Sequence, residues 1–209
     1  MSAIKHINHD EIEADQRATI ADTRDCPILF DKEMVRATLS GAKTATRRLF
    51  KSPLSKAMEP AYAIFKEGGK WIARLENGQC YRYPIICPFG EPGDYLWIKE
   101  TFTYDTSGRK IYRASHGDIN DKKWTPSIHM SKTASRIWLQ ITDIKPQRIQ
   151  TVTEEEAREE GTKAGKILNY SEISQVNFRE GFFLKWISIY GIERFYENQW
   201  VWAIKYKMI

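Results

Sequence analysis

The sequence predicts an α+β protein: a small, largely antiparallel β-barrel with peripheral helices and insertions. Two observations carry this. Roughly six or seven short runs have the alternation or the aromatic and β-branched content of strands, whereas helical spacing is confined to about two to four segments. Turn signals such as Gly68-Gly69 and Asn77-Gly78 separate neighbouring runs in hairpin fashion.

Taken in order, residues 1–25 are polar and read as a tail, and a single domain is expected over 26–209. His6 and His9 beside Asp10 are a conceivable metal pair, outweighed by the reading as a mobile tail. Cys26 to Phe30 is a short apolar strand. Phe30 to Leu39 then places Phe30, Met34, Val35, Thr38 and Leu39 on one helical face, with Gly41 as the stop. Pro53 and Pro60 argue for a loop over 51–60. Tyr62–Phe65, Lys70–Leu75 and Cys80–Pro84 follow as a β-meander. A proline- and glycine-rich loop feeds Tyr95–Phe102, where Leu96 and Ile98 share one face and Tyr95, Trp97 and Lys99 the other. If Glu100 points inward with Leu96 and Ile98, it needs a cationic partner such as Lys43 or Arg47; if the strand is ending there, it is solvated.

The stretch from Tyr104 reads as an irregular insertion, with 104–134 as its span. His129 within it suits a general base, a nucleic-acid contact or a structural histidine. Ser135–Ile144 alternates cleanly, Ile137, Leu139 and Ile141 on one face. Thr153 and Glu156 form a capping-box pattern opening a short acidic helix that Gly161 ends. Residues 162–190 are a second insertion, signalless to 178 and then an aromatic helix, Phe182–Tyr190, stopped by Gly191. Asn198–Tyr206 closes the chain as a strand.

Composition narrows the function. The chain has 209 residues and a net charge of +5, and its seven Trp and ten Tyr often stand beside basic residues. That mixture suits base stacking with phosphate contact, as at Trp97 beside Lys99, although strand aromatics also simply fill cores. Three cysteines at no metal-binding spacing read as reduced thiols. The N-terminus lacks a basic-then-apolar leader and no apolar run approaches the ~18 residues of a membrane span, so a cytoplasmic location without membrane partners is expected. The sequence indicates no metal or organic cofactor and sets no oligomeric state.

The chemistry concentrates in Leu39–Arg48, which packs Lys43, Thr44, Thr46, Arg47 and Arg48 after a helix stop. The bland reading is a solvated turn. A phosphate-binding loop is excluded, because Ala42 separates Gly41 from Lys43 and Arg36 stands where its first glycine belongs. Lysine and arginine here can hold phosphate, and a lysine can activate a hydroxyl. Lys43 and Thr46 would share a face if the segment were helical.

Gly41-Ala-Lys-Thr-Ala-Thr46, Pro92–Ile98, Ile137–Ile144, the Thr153–Gly161 helix and the final Trp-Val-Trp-Ala-Ile strand together resemble the ASCH domain over roughly 27–206. Trp124–Met130 followed by Ala134-Ser-Arg136 is similar to the larger ASCH proteins of bacteriophages and prophages. The resemblance implies a PUA-like barrel and RNA binding. Some small ASCH proteins are amidohydrolases of N4-acetylcytidine, and their glycine-x-Lys-Thr-x-Thr motif matches here. It implies Lys43 as base, Thr46 as nucleophile and a glutamate of the acidic helix, Glu160 before Glu159, as proton donor. Arg47, Arg48, Trp97, Glu100 and His129 are then the candidates for binding RNA or a modified cytidine nucleoside. A non-catalytic nucleic-acid-binding module and a phage accessory protein that binds another protein are the alternatives.

Overall fold

The structure is a computed structural model that describes residues 23–50, 61–75, 80–117, 123–164, 166–168, 173–175 and 177–209. The expectations for His6 and His9, for the 51–60 loop and for Asn77-Gly78 lie outside these.

Five strands form the main sheet: β1 (Asp25–Leu29), β6 (Tyr95–Lys99), β9 (Trp138–Arg148), β12 (Trp200–Met208) and β2 (Ala45–Leu49), in that spatial order. No two neighbours in it are consecutive in sequence, and β1 runs parallel to β6 while the other pairs are antiparallel. The hairpin-like connections expected from the turn signals are confined to smaller sheets. These are β3 (Ala61–Glu67), β4 (Lys70–Leu75) and β5 (Cys80–Ile85); β7 (Phe102–Tyr104) with β8 (Lys110–Tyr112); and β10 (Lys166–Leu168) with β11 (Ile173–Gln175). A turn dipeptide specifies its own two strands and carries no information about partners 40 to 150 residues away. Consequently the span 104–134, expected to be irregular, holds a hairpin strand and a short helix α2 (Arg113–His116).

The protein is thus α+β with mostly antiparallel sheets and few helices. No closed barrel is formed among the described residues, although the sheet's two outer strands are bridged: Arg48 on β2 donates to the Leu29 carbonyl on β1 at 2.7 Å. The main core lies on one face of the sheet, where Leu96, Ile98, Leu139, Ile141, Trp202 and Ile204 are each at most 1% exposed. Ile141 and Ile144 would face opposite sides of a regular strand. A bulge that leaves Thr142 without a partner on β12 returns both to this core.

Helix α1 (Lys32–Leu39) starts from an Asp31 cap and buries Val35 and Thr38, but Leu39 is 41% exposed, since the helix ends before that turn can pack. Helix α3 (Glu154–Glu159) has both halves of the capping box expected from Thr153 and Glu156. Helix α4 (Phe178–Tyr190) begins four residues earlier than expected, because Asn177 and Glu180 supply a second capping box, and Gly191 ends it. A short helix α5 (Ile192–Tyr196) follows. Ala157 of α3, Phe182 and Trp186 of α4 and Val201 of β12 build a second core on the opposite side of the sheet. No helix among the described residues is long and apolar enough to cross a membrane.

Candidate functional site

The site is made where β2 meets the end of α3. After α1, the Lys43 amide donates to the Ala37 carbonyl at 2.9 Å and the Thr44 amide to the Glu159 carbonyl at 2.8 Å, and Lys43 pairs across a β-bridge with Glu160. Lys43–Arg48 is therefore extended rather than helical, which removes the i, i+3 argument for Lys43 and Thr46. They meet by a different route. Thr46 sits opposite Ile204 and Arg48 opposite Trp202, so both project on the main-core side, while Arg47, opposite Ala203, projects towards the second core. Gly161 allows the approach. It has φ +70°, and a Cβ there would lie 2.8 Å from Lys43 Cβ and 2.9 Å from Ala37 Cβ.

Lys43, Thr46, Arg47 and Glu160 are each at most 8% exposed. Lys43 Nζ donates to Glu160 Oε2 at 2.5 Å, to the Ala45 carbonyl at 2.8 Å and to the Glu160 carbonyl at 3.0 Å. Three acceptors match the three protons of an ammonium. The other Glu160 oxygen accepts from Arg47 at 3.1 Å. Arg47 also pairs with Glu156 at 3.4 Å and donates to Gln147 at 3.3 Å. Glu156 in turn accepts from Lys145 and from Gln147, both at 2.7 Å.

Burial pulls the Lys43 ammonium below the ordinary lysine range; Glu160 opposes this and Arg48 and Lys185 add to it. For Glu160, burial alone would raise the pKa, but the charges of Lys43 and Arg47 outweigh it and hold the carboxyl below the usual range. Glu156 is held at about 2: burial opposes ionisation, and hydrogen bonds from Lys145, Gln147 and the Thr153 amide, with the charge of Arg47, overcome it.

Lys43, Thr46, Arg47 and Glu160 line a cavity of about 30 Å³, completed by Arg48 and, from α4, by Phe182, Lys185, Trp186 and Tyr190. A groove of about 1200 Å³ adjoins it between α1, α3 and α4, sharing Met34, Glu160, Thr162 and Lys185. Among the described residues, the Thr46 hydroxyl has no hydrogen-bond partner.

The other predicted residues lie elsewhere. Glu100 does point inward, at 2% exposure, but its partner is Arg136, at 2.8 and 3.1 Å, and neither Lys43 nor Arg47. Arg136 lies two residues before β9 and its guanidinium stacks 4.1 Å from the Tyr112 ring, a placement that only the fold decides. Trp97 is 8% exposed beneath Lys99, and His129 is exposed in a 3₁₀ turn; neither lines the cavity or the groove. Glu159 pairs with Lys205 at 2.7 Å. Sequence reasoning missed the cavity-lining residues of α4. Their available signal was a helix apolar on every side, which has two faces to cover.

Comparison with protein-family models finds no match, and comparison with curated proteins finds none either. Among solved structures the chain is similar to protein EF3133 from Enterococcus faecalis V583, described under family DUF984. The identity is 16% over 83% of this chain, which spans 65% of that protein's chain, with a TM-score of 0.33.

Proposed function

We propose that this protein is an ASCH-type hydrolase with a PUA-like barrel, which removes a small acyl group from the exocyclic amine of a cytidine-type nucleoside, free or within RNA. The observation that carries the reading is the meeting of Lys43, Thr46 and Glu160 around one cavity, with the Thr46 hydroxyl unengaged. The adjoining groove, at about 1200 Å³, has room for a nucleoside. Glu160 stands on the shared wall, where an amide reaching from groove into cavity has its nitrogen. The strand-to-strand bridge from Arg48 to Leu29 supports the barrel.

The chemistry balances with these groups alone. Moving one proton along the 2.5 Å contact from Lys43 to Glu160 leaves a neutral amine and a neutral carboxylic acid, the forms a base and a proton donor need. Burial favours the neutral form of Lys43, and when Glu160 takes the proton the Arg47 guanidinium keeps Glu156 as its counter-charge. Thr46 Oγ adds to the acyl carbon and yields its proton to Lys43 as the carbonyl π pair moves onto oxygen. The C–N bond then breaks, Glu160 protonates the departing nitrogen, and the acyl group remains as a Thr46 ester. Water hydrolyses the ester, restoring Thr46 and releasing a carboxylic acid.

A second reading rests on Lys43's three acceptors: a fully satisfied ammonium is also what a structural ion pair looks like. The chain would then be a binding module whose partly exposed cation–aromatic pairs, such as Lys66 over Trp71 and Arg148 over Trp200, meet nucleic acid. Arg47 is not available to phosphate in either case, being 5% exposed and spent on Glu156 and Glu160.

One experiment separates the two. Purified protein is incubated with N4-acetylcytidine and cytidine release is followed by chromatography, with Lys43→Ala and Thr46→Val alongside. Release by wild type and a loss of at least about 100-fold in both variants is expected. Absence of release at high enzyme concentration would discard hydrolysis of the free nucleoside, and the same assay on N4-acetylcytidine-containing RNA would then decide the hydrolase reading.

A further inference from the structure

Two buried donors beside the cavity have no acceptor among the described residues. Trp186 is 4% exposed and lines the cavity, and its Nε1–H has no acceptor; Arg48 lines the same cavity, and its buried Nε–H has none either. A buried N–H without a partner keeps its full desolvation penalty, so one is uncommon and two on one cavity are unexpected. Neither is displaced or idle otherwise. Trp186 packs on Tyr190, with ring centroids 4.3 Å apart, and Arg48 is fixed by Leu29 and by the Phe30 ring. Both are therefore held rigid with an N–H left over. Thr46 lines the same cavity, whose volume is about 30 Å³.

We infer that Trp186 Nε1 and Arg48 Nε form a donor pair for the carbonyl oxygen of the substrate's acyl group, and that the small cavity favours a small acyl group over an aryl one. The substrate identity rests on the hydrolase reading above; the acceptor site does not. When Thr46 Oγ adds to the acyl carbon, the carbonyl π pair moves onto this oxygen, and the two N–H groups meet the charge as it forms. Donors fixed in advance by ring packing need no reorganisation at that step, which is where such pairs act most strongly. One donor comes from β2 and the other from the second insertion. The catalytic lysine and threonine would thus be incomplete without α4.

The test has two arms. In ¹⁵N-labelled protein, the Trp186 indole resonance is identified by its loss in Trp186→Phe, and the Arg48 Nε resonance by its loss in Arg48→Lys. Wild type is titrated with acetate, the carboxylic product of deacetylation, against chloride at equal ionic strength. Both resonances are expected to shift with acetate along a saturating curve and not with chloride. If either stays in place at several hundred millimolar acetate, the pair is overturned and the cavity holds water alone. In the kinetic arm, Trp186→Phe keeps a ring and loses the donor. It should lower kcat on N4-acetylcytidine about 100-fold with little change in KM, and N4-benzoylcytidine should be at least about 10-fold poorer than N4-acetylcytidine for wild type. Unchanged kcat in a folded Trp186→Phe would refute the role. A wild type that deacetylates neither the nucleoside nor the RNA yet shifts both resonances would sink the hydrolase reading and keep the acceptor site.

Discussion

Glu156 shows how much one side chain holds. It caps its own helix through the Thr153 amide and at the same time anchors Arg47, Gln147 and Lys145, so it fixes the guanidinium that neutralises Glu160. Its carboxyl sits at about 2, below the ordinary 4.5. A group with a depressed folded pKa contributes stability that is complete above its unfolded value and is lost as pH falls through the folded one. Glu156→Gln keeps the capping box, which accepts glutamine, and removes the charge. The variant should melt below wild type near neutrality, and the gap should shrink as pH falls from about 4.5 towards 2. Thermal melts across that range check it, and a gap constant with pH would contradict the assignment. The Glu100–Arg136 pair shows the same limit: strand alternation left the carboxylate either inward or solvated, and the structure turns it inward onto a residue 36 positions away.

At the scale of elements, the junction of α3 with β2 is built on one glycine. Gly161 lies at φ +70°, beyond the helix, and its missing side chain lets Lys43 and Ala37 come within contact. An alanine there meets a left-handed backbone cost of roughly 1–2 kcal/mol and a clash of similar size. Gly161→Ala should therefore lose about 2–4 kcal/mol in denaturant melts, and should lose turnover more steeply than stability, since Lys43 and Glu160 are the pair pushed apart. A loss below about 0.5 kcal/mol would mean the contact yields freely. The sequence marked Gly161 as a helix stop, a local property. That it also sets the distance between two catalytic candidates depends on which strand packs against it.

Across the whole molecule, the sheet order places β9 at the centre with β6 and β12 beside it, all three paired on both sides, and packs a core against either face of β12. The β7–β8 hairpin is a two-stranded sheet of its own with partly exposed side chains. Native-state hydrogen exchange should find the Trp202 and Ile204 amides opening only with global unfolding, and the paired amides of β7 and β8 exchanging at least about 100-fold faster. Equal protection of the two would show that the hairpin belongs to the same cooperative unit. The two cores also explain why α4 matters to the site: it is the layer that closes the second face of the sheet over Arg47 and lines the cavity that Thr46 shares.

The sequence by itself determined what depends on neighbours in the chain. The capping box of α3, the glycine stops, the alternation of β6, β9 and β12, and the Lys43–Arg48 cluster all follow from spacings of two to four residues. The acidic-helix end was legible too, and Glu160 was singled out beside Glu159 on a family resemblance. Only the tertiary structure decided which strands neighbour one another, that Lys43 meets Glu160 across 117 positions, and that Trp186 seals the cavity they share. The physical reason is range. Capping and alternation are settled by backbone geometry within a turn or two, whereas a buried ion pair exists only where the global packing removes water from both partners.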